Sequence, residues 1–566
     1  MWFYAPYFVI AIALGTLFIF TVCRLFITGP LWNIRGPPSP CFALGHQRMV
    51  QSQPQVGLLE KQWLQEFGPV WKLKGCFGED QLVIADPKAS TSSSRLSSFI
   101  QFLTHASQAL QYIHHKSGYH FPKAVFMQQI SREINGDGIL TATGQDHARI
   151  RKIMNPAFSA GQLRSFLPLF QGAAQELSDK WNSLLQMRPK GGQRLDVHQW
   201  ISRCSLNIIG KAAFDIDPGT LAHESLHAVA QDFKDMFTKS IPNPSVFVLL
   251  LGWVCRYLPV PLLRLMRHLP MRRYIHFRRS LDTLNEYSQK LIEEKSAALL
   301  HGTEDNKRDV MNILVRANAS ENPSGRLSDP EMISMMVTLL LAGNDTTTLA
   351  LSWLLYELAK CPEYQEKMRA EIKAARAQII ERGERAFSMS DLDAMSFVGA
   401  AIKEGLRLNP AIYALLRVTS RDEVIPLAYP IVTTSGAATH EVYVPKGTEL
   451  MISIQAYNRL PQVWGTDADT FNPHRFLERG KTDETFVGIT SNLMTFSAGL
   501  QGCIGWRFAI IVMQAMLVEL VENFRFTLPD DQPEIVHLPA GFRVPIVEGE
   551  RERGAQMPLC VCPVED

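Results

Sequence analysis

The sequence predicts one large, mainly α-helical domain with small β-sheets, carried behind a single N-terminal transmembrane helix. Three observations predict it. Helical patterns at Gln171–Leu185, Leu281–Leu299, Asp329–Lys360 and Cys503–Phe524 outweigh short strand-like runs at Val70–Lys74, Gln81–Ala85 and Glu449–Ile454. Beyond residue 60 there is no internal repeat and no Gly/Ser linker long enough to separate domains. From Trp2 to Cys23 no residue is charged, and apolar character runs on to Ile27, which at about 1.5 Å per residue spans a bilayer core.

The N-terminal run lacks the basic n-region of a cleaved signal peptide and exceeds a usual h-region, so it reads as an anchor over 1–27. Trp2, Tyr4 and Tyr7 lie at one edge of it, as an interfacial belt requires. Arg24, Arg35 and Arg48 follow with no acidic residue before Glu60, which puts the remainder in the cytosol. Residues 28–59, with Arg35-Gly-Pro-Pro-Ser-Pro40, read as a proline-containing linker, and 60–566 as the folded domain.

Composition bounds the function. The 566 residues carry 57 basic and 55 acidic side chains, a net charge of +2, with 46% hydrophobic residues. That balance excludes a disordered chain and a generic polyanion binder, so no nucleic-acid partner is expected. The nine cysteines are scattered and form no repeated C-x-x-C, only Cys560-x-Cys562 at the tail; neither a disulfide framework nor a structural zinc site follows.

One stretch breaks the pattern. Ser90–Gln108 holds seven serines in 19 positions, between an Asp86-Pro87 turn and a helix that resumes at Leu110-Gln111-Tyr112. A serine-rich surface insertion explains it blandly; the sharper reading of 90–109 is a translated, unspliced intron.

The strongest chemical signal is Phe496-Ser-Ala-Gly499-Leu-Gln-Gly502-Cys503-Ile-Gly505-Trp-Arg-Phe-Ala509. A cysteine between glycines at the start of an amphipathic helix suits an axial thiolate: the glycines permit a tight turn, and the helix N-terminus lowers the thiol pKa. Gly505, without a Cβ, leaves room for a flat macrocycle. A second motif, Ala342-Gly343-Asn344-Asp345-Thr346-Thr347, lies deep in an apolar helix opened by a Ser328-x-x-Glu331 capping box. Buried Asp and Thr are costly there unless bonded or used, and a threonine bonding back to the preceding turn is the plain alternative. The third is Glu404-Gly-Leu-Arg407 with Phe471-Asn-Pro-His-Arg475-Phe476 downstream; the fourth is Gly144-Gln-Asp-His147-Ala-Arg149-Ile-Arg151, which sets His147 and Arg151 on one helix face.

These four motifs, falling along the chain in the family's order, resemble the cytochrome P450 family over nearly the whole chain after the anchor. The resemblance implies a P450-like fold holding haem b with Cys503 as the iron's axial ligand. By it, Phe496 and Gly343 border the haem, while His147, Arg151 and Arg417 bind its propionates. Asp345 and Thr346 relay protons in catalysis, and Glu404, Arg407 and Arg475 lock the haem loop. The implied reaction is insertion of one atom of O₂ into a small apolar substrate. Electrons come from NADPH through a separate cytochrome P450 reductase, at the endoplasmic reticulum membrane. Substrate contacts carried over by position are Met335–Gly343, Ala411–Leu416 and His120–Ile139, with Met335, Met336, Val337, Leu339, Leu340, Ile412 and Leu415 apolar.

Departures are Gln501 where the family usually has an arginine, which implies weaker haem retention, His474 for a usual Glu, and Gly405 for a common Thr or Ser. Trp464-Gly-Thr-Asp-Ala-Asp with the Cys503-Ile-Gly-Trp-Arg-Phe-Ala ending is most similar to fungal members, which points to a tailoring hydroxylase of secondary metabolism such as terpenoid biosynthesis. The rival readings are a haem-binding protein without monooxygenase activity, a thiolate-haem isomerase or dehydratase, and a fatty-acid or xenobiotic hydroxylase.

Overall fold

The computed structural model describes residues 29–87, 109–186, 192–217, 219–221, 245–259, 262–263, 309–322, 325–478, 487–539 and 541–564, with isolated positions between 282 and 297. The predicted membrane span 1–27 and the serine-rich residues 90–108 lie outside these, as does much of Leu281–Leu299. Among the described residues no helix is long and apolar enough to cross a membrane.

The helices that build the site are α1 (Val125–Asn135), α2 (Gly144–Met154), α3 (Ala160–Gln186), α4 (Val197–Phe214), α5 (Val246–Cys255), α6 (Asp329–Ala359), α7 (Ser396–Leu408) and α8 (Trp506–Asn523). α6 is the axle. Its 31 residues bury Met332, Met335, Met336, Leu351, Trp353, Leu354, Leu355 and Leu358 against α4 and α8. An apolar helix of that length is stable because neighbours cover it on every side, not through its own propensity. The predicted cap is present: Ser328 donates its backbone N–H to Glu331 Oε2 at 2.8 Å, and Arg149 of α2 closes on the same carboxylate.

Eleven strands, β1 to β11 in chain order, form the sheets among the described residues. β1 (Val70–Lys74), β2 (Asp80–Ile84), β7 (Glu449–Ser453) and β4 (Ala414–Val418) make one sheet in the order β1-β2-β7-β4, with β2 and β7 parallel and the other pairs antiparallel. This sheet covers a second core of Trp71, Leu82, Ile84, Leu450 and Ile452. β3 (Gln193–Asp196), β11 (Pro558–Pro563) and β8 (Phe524–Thr527) form another, while β5 (Glu423–Val432) with β6 (Ala438–Val444), and β9 (Ile535–Pro539) with β10 (Arg543–Val547), are hairpins.

Two features differ from the sequence reading. The expected linker 28–59 is docked on β1 from Gly29 onward: Leu31 and Ile34 are buried, Lys72 N–H donates to Arg35 O at 2.9 Å, and Gly36 lies so close that a Cβ would meet Lys72 O. Apolar residues between the prolines, which a composition argument averages away, hold it there. The second concerns the ends of the serine-rich stretch. Asp86 O accepts from Leu110 N–H and Asp86 Oδ1 from Ala109 N–H, each at 3.4 Å. The fully buried Asp86 carboxyl also takes the N–H groups of Ala428 and Tyr429, at 2.8 and 3.1 Å. The chain therefore leaves at Pro87 and returns at Ala109 to one hydrogen-bonded point.

Candidate active site

Cys503 sits at the end of a loop folded on itself. Its N–H donates to Phe496 O at 2.9 Å, and Gly502 N–H to Gly499 O at 3.1 Å. Left-handed backbone at Ser497 (φ 60°) and Gly499 (φ 62°) makes the reversal. Close packing explains the glycines: a Cβ on Gly499 would stand 1.8 Å from the carbonyl oxygen of His114, and one on Gly502 would stand 2.3 Å from Ile489. Gly505 is different, since its Cβ would only touch Phe158 at 3.6 Å. The partly buried Phe496 packs against the helical core, and its carbonyl holds the cysteine.

The Cys503 side chain is accessible, although protein crowds around it. Burial pushes its pKa up, and this outweighs the Gly505 N–H and the Arg151 guanidinium, both of which pull it down. The lowering that the sequence reading expects from the helix terminus is present in the Gly505 N–H, but the net shift is upward because burial outweighs it. In the bare protein desolvation wins, and the thiolate needs a bound cation to displace its proton.

On α6, Ala342 is exposed midway along the helix, among buried and half-buried neighbours. One turn on, Thr346 donates its hydroxyl to Ala342 O at 2.7 Å, the back-bond that the sequence reading allows for. Its lone pairs remain as acceptors. Asp345 takes Asn344 Nδ2 at 3.0 Å, and burial pushes its carboxyl up to about 7. Gly343 lies against α4, where a Cβ would come 2.7 Å from Ile209 Cδ1, so its visible role is to let α4 and α6 approach.

Basic groups gather beside the cysteine loop. Arg151 donates to Gly502 O at 2.6 Å. His147 is buried, with Nδ1 2.9 Å from the Tyr119 hydroxyl. Arg417, also buried, lies on β4 in an antiparallel bridge with Lys123. His114 Nε2 is buried with no partner. Burial, helped by mutual repulsion, holds His114 down at about 3, His147 at about 4 and Lys123 at about 8; burial alone pulls Arg417 down to about 10. Among the described residues, the charge neighbours of these five are one another, His115, Cys503 and Tyr119; no carboxylate balances them.

An accessible thiol beside the buried Arg417 and the half-buried Arg151 and Lys123, which lack an anion among the described residues, fits a ligand combining a thiophilic metal with carboxylates, as haem does. His147, Arg151 and Arg417 are brought together as the sequence predicts. Sequence reasoning misses His114 and Tyr119, which lie in no motif, and places Lys123 only within the substrate-contact stretch His120–Ile139, whereas the bridge to β4 sets it beside Arg417.

A buried knot braces the loop from behind. Glu404 and Arg407 on α7 are both completely buried and bond at 2.7 and 2.9 Å. Arg475 Nε joins Glu404 at 3.1 Å and its Nη2 reaches Asp467 at 2.9 Å, a fourth member that the motif does not show. Thr495, just ahead of Phe496, donates to Leu406 O at 2.7 Å and so ties the knot to the cysteine loop. Of the predicted apolar substrate contacts, Met335, Met336 and Leu339 are in the helical core and Val337 is buried, whereas Leu340, Ile412 and Leu415 are partly buried.

The cytochrome P450 family model matches residues 99–550. The chain is 32% identical over 541 residues to cytochrome P450 monooxygenase 91 of Postia placenta, with 93% of each chain covered. It is 30% identical to the cytochrome P450 monooxygenase claU of Ampulloclitocybe clavipes, covering 94% of this chain and 93% of that one. It is also 30% identical to ganoderic acid synthetase of Ganoderma lucidum, covering 92% of each.

Proposed function

The chain belongs to the cytochrome P450 family as a monooxygenase, and from that premise we propose that it is a tailoring hydroxylase of fungal secondary metabolism acting on a small, largely apolar molecule such as a terpenoid. The names of the relatives in Ganoderma and Ampulloclitocybe support this reading. The observation that carries it is the accessible Cys503 thiol beside a basic cluster with no counter-anion among the described residues.

When bound there through Cys503, haem supplies the redox chemistry of O₂ activation. Arg151, Arg417 and Lys123 would neutralise its carboxylates, while His147 and His114, uncharged near neutral pH, would offer ring N–H groups as hydrogen-bond donors. The Gly505 N–H and Arg151 stabilise negative charge on Cys503 Sγ. Asp345, pushed up to about 7, holds or yields a proton on its carboxyl near neutral pH, which suits a relay, and the Thr346 hydroxyl beside it passes that proton on.

Electrons come from NADPH through a separate reductase, and the protein works at the endoplasmic reticulum membrane with its domain in the cytosol. Val246, Phe247 and Val248 support membrane contact: they are exposed at one end of α5, while Leu249 and Trp253 pack on Leu44 and Phe77. The test is the carbon monoxide difference spectrum of the reduced protein, followed by turnover with a fungal reductase. A thiolate-type Soret band with NADPH-dependent product is expected; a band without product would favour the non-monooxygenase reading.

A further inference from the structure

The pair Cys560-x-Cys562, which the active site does not use, lies on β11, the middle strand of β3-β11-β8. Side chains alternate between the faces of a strand. Leu559 and Val561 are wholly buried in the helical core, so Cys560 and Cys562 share the opposite face, where both are half-buried and in no disulfide.

Their sulfurs meet at one point. A Cβ on Gly192, just ahead of β3, would lie 2.2 Å from Cys562 Sγ and 3.3 Å from Cys560 Sγ, and the two thiols share a hydrogen bond. Gly192 is exposed, which puts that point within reach of solvent. Arg194 stands opposite Cys560 in the register with β3, and Arg525 opposite Cys562 in the register with β8.

We infer that Cys560 and Cys562 form a binding site for a soft metal ion satisfied by two ligands, of which cuprous copper is the fitting class. A disulfide fits the strand less well. Alternate residues of a strand have Cα atoms about 6.6 Å apart, near the limit that an S–S bond spans. Among the described residues no group of three His, Cys, Asp or Glu side chains could hold a metal. Zinc, which takes four ligands, is therefore poorly served there, whereas paired thiolates select Cu(I). Burial and the Cys560 thiol push the Cys562 pKa up while Arg525 pulls it down, so binding releases the thiol protons to solvent. Two thiolates around a monovalent ion keep one negative charge, which the flanking arginines face.

The test titrates the full-length, haem-loaded protein with Cu(I) under argon, in competition with the chelator bathocuproine disulfonate. The wild type is expected to withdraw one equivalent. Cys560→Ser and Cys562→Ser should each weaken that binding about 10²-fold or more, because the second thiol no longer acts at high effective concentration. Cys41→Ser, at an exposed cysteine elsewhere, should leave it unchanged. Haem content and melting temperature should match the wild type in all three, and if one serine variant of the pair melts lower, the other carries the comparison. No copper withdrawn by the wild type, undiminished binding in either variant of the pair, loss of binding in Cys41→Ser, or equal affinity for Zn(II) would overturn the inference.

Discussion

Glu404 and Arg407, one helical turn apart and wholly withdrawn from water, share two hydrogen bonds, and each is also bonded to the chain segment 467–475. Arg407 spends its other donors on the carbonyls of Asn458 and Ala468, at 2.7 and 2.6 Å. Removing either partner strands the other charge without solvent. Glu404→Ala or Arg407→Ala is expected to destabilise the fold by about 3–5 kcal/mol, read as a shifted denaturant midpoint. A loss below about 1 kcal/mol, the range of an exposed pair, would mean that water reaches the site.

The glycines of the cysteine loop should separate by mechanism. Gly499→Ala forces a side chain into left-handed backbone and onto the His114 carbonyl, so it should abolish haem incorporation and lower the melting temperature. Gly505→Ala meets only Phe158 at ordinary contact distance. Its apoprotein should melt with the wild type, so that any loss of haem in this variant reports on the macrocycle side alone.

Asp345 gives a pH signature. Its folded pKa of about 7 lies above the 3.8 of an ordinary aspartate, so the folded chain binds the extra proton between those values. The stability tied to that proton is present at the acid end and is lost as pH rises through the same window. Asp345→Asn should flatten that slope in denaturation between about pH 4 and 7. The same variant should lower turnover by about 10²-fold or more, as removal of a proton relay does. Unchanged turnover would remove Asp345 from the relay.

Lys123 should offset Gln501. Position 501 in the cysteine loop lacks a cation, yet Lys123 and Arg417 already stand side by side in the basic cluster. The wild type should therefore retain haem against an apomyoglobin acceptor. Lys123→Ala should release it several-fold faster with little change in apoprotein stability. Equal release rates would restrict the cradle to the residues legible from motifs.

Residues 88–108 should be dispensable. Were they absent, Asp86, Pro87, Ala109 and Leu110 would be consecutive. The bond from Leu110 N–H to Asp86 O would then be the closing bond of a β-turn with proline at its second position, and the Ala109 bond to Asp86 Oδ1 an Asx turn. A protein lacking 88–108 should fold, load haem and melt no lower than the full chain. Transcript sequencing gives an independent check on the intron reading of residues 90–109: if every message retains them, that reading is wrong.

Legibility in the sequence follows the range of the interactions. Cys503, the His147–Arg151 face, the Ser328 cap and strand β1 are local patterns, and each is readable from spacing or resemblance. His114 and Lys123 are not, because each acquires its neighbours through a contact far along the chain, and Asp467 is not, because its bonds to Arg475 and Asn472 follow the irregular turns between them rather than a helical or strand spacing. Val70–Lys74 matches its prediction, whereas the helix predicted from Gln171 begins at Ala160 and carries Pro168 within it. A proline normally halts such a pattern, and tertiary packing of Phe166 and Phe170 overrides that here. The motif misleads on the direction of the Cys503 pKa for a related reason: burial is a property of the assembled fold and leaves no mark on the local pattern.

The unbalanced cluster around Arg417 also bears on how the protein is made. Until two carboxylates arrive, Lys123 and Arg417 are neighbouring cations largely withdrawn from water with no counter-anion among the described residues, so the seam where β4, α2 and the cysteine loop meet closes against an electrostatic cost. Haem supply, rather than translation, should then set the yield of mature protein in a heterologous host. Feeding the haem precursor δ-aminolaevulinate would act as a folding aid, and chains made under haem starvation would go to proteolysis first at this seam.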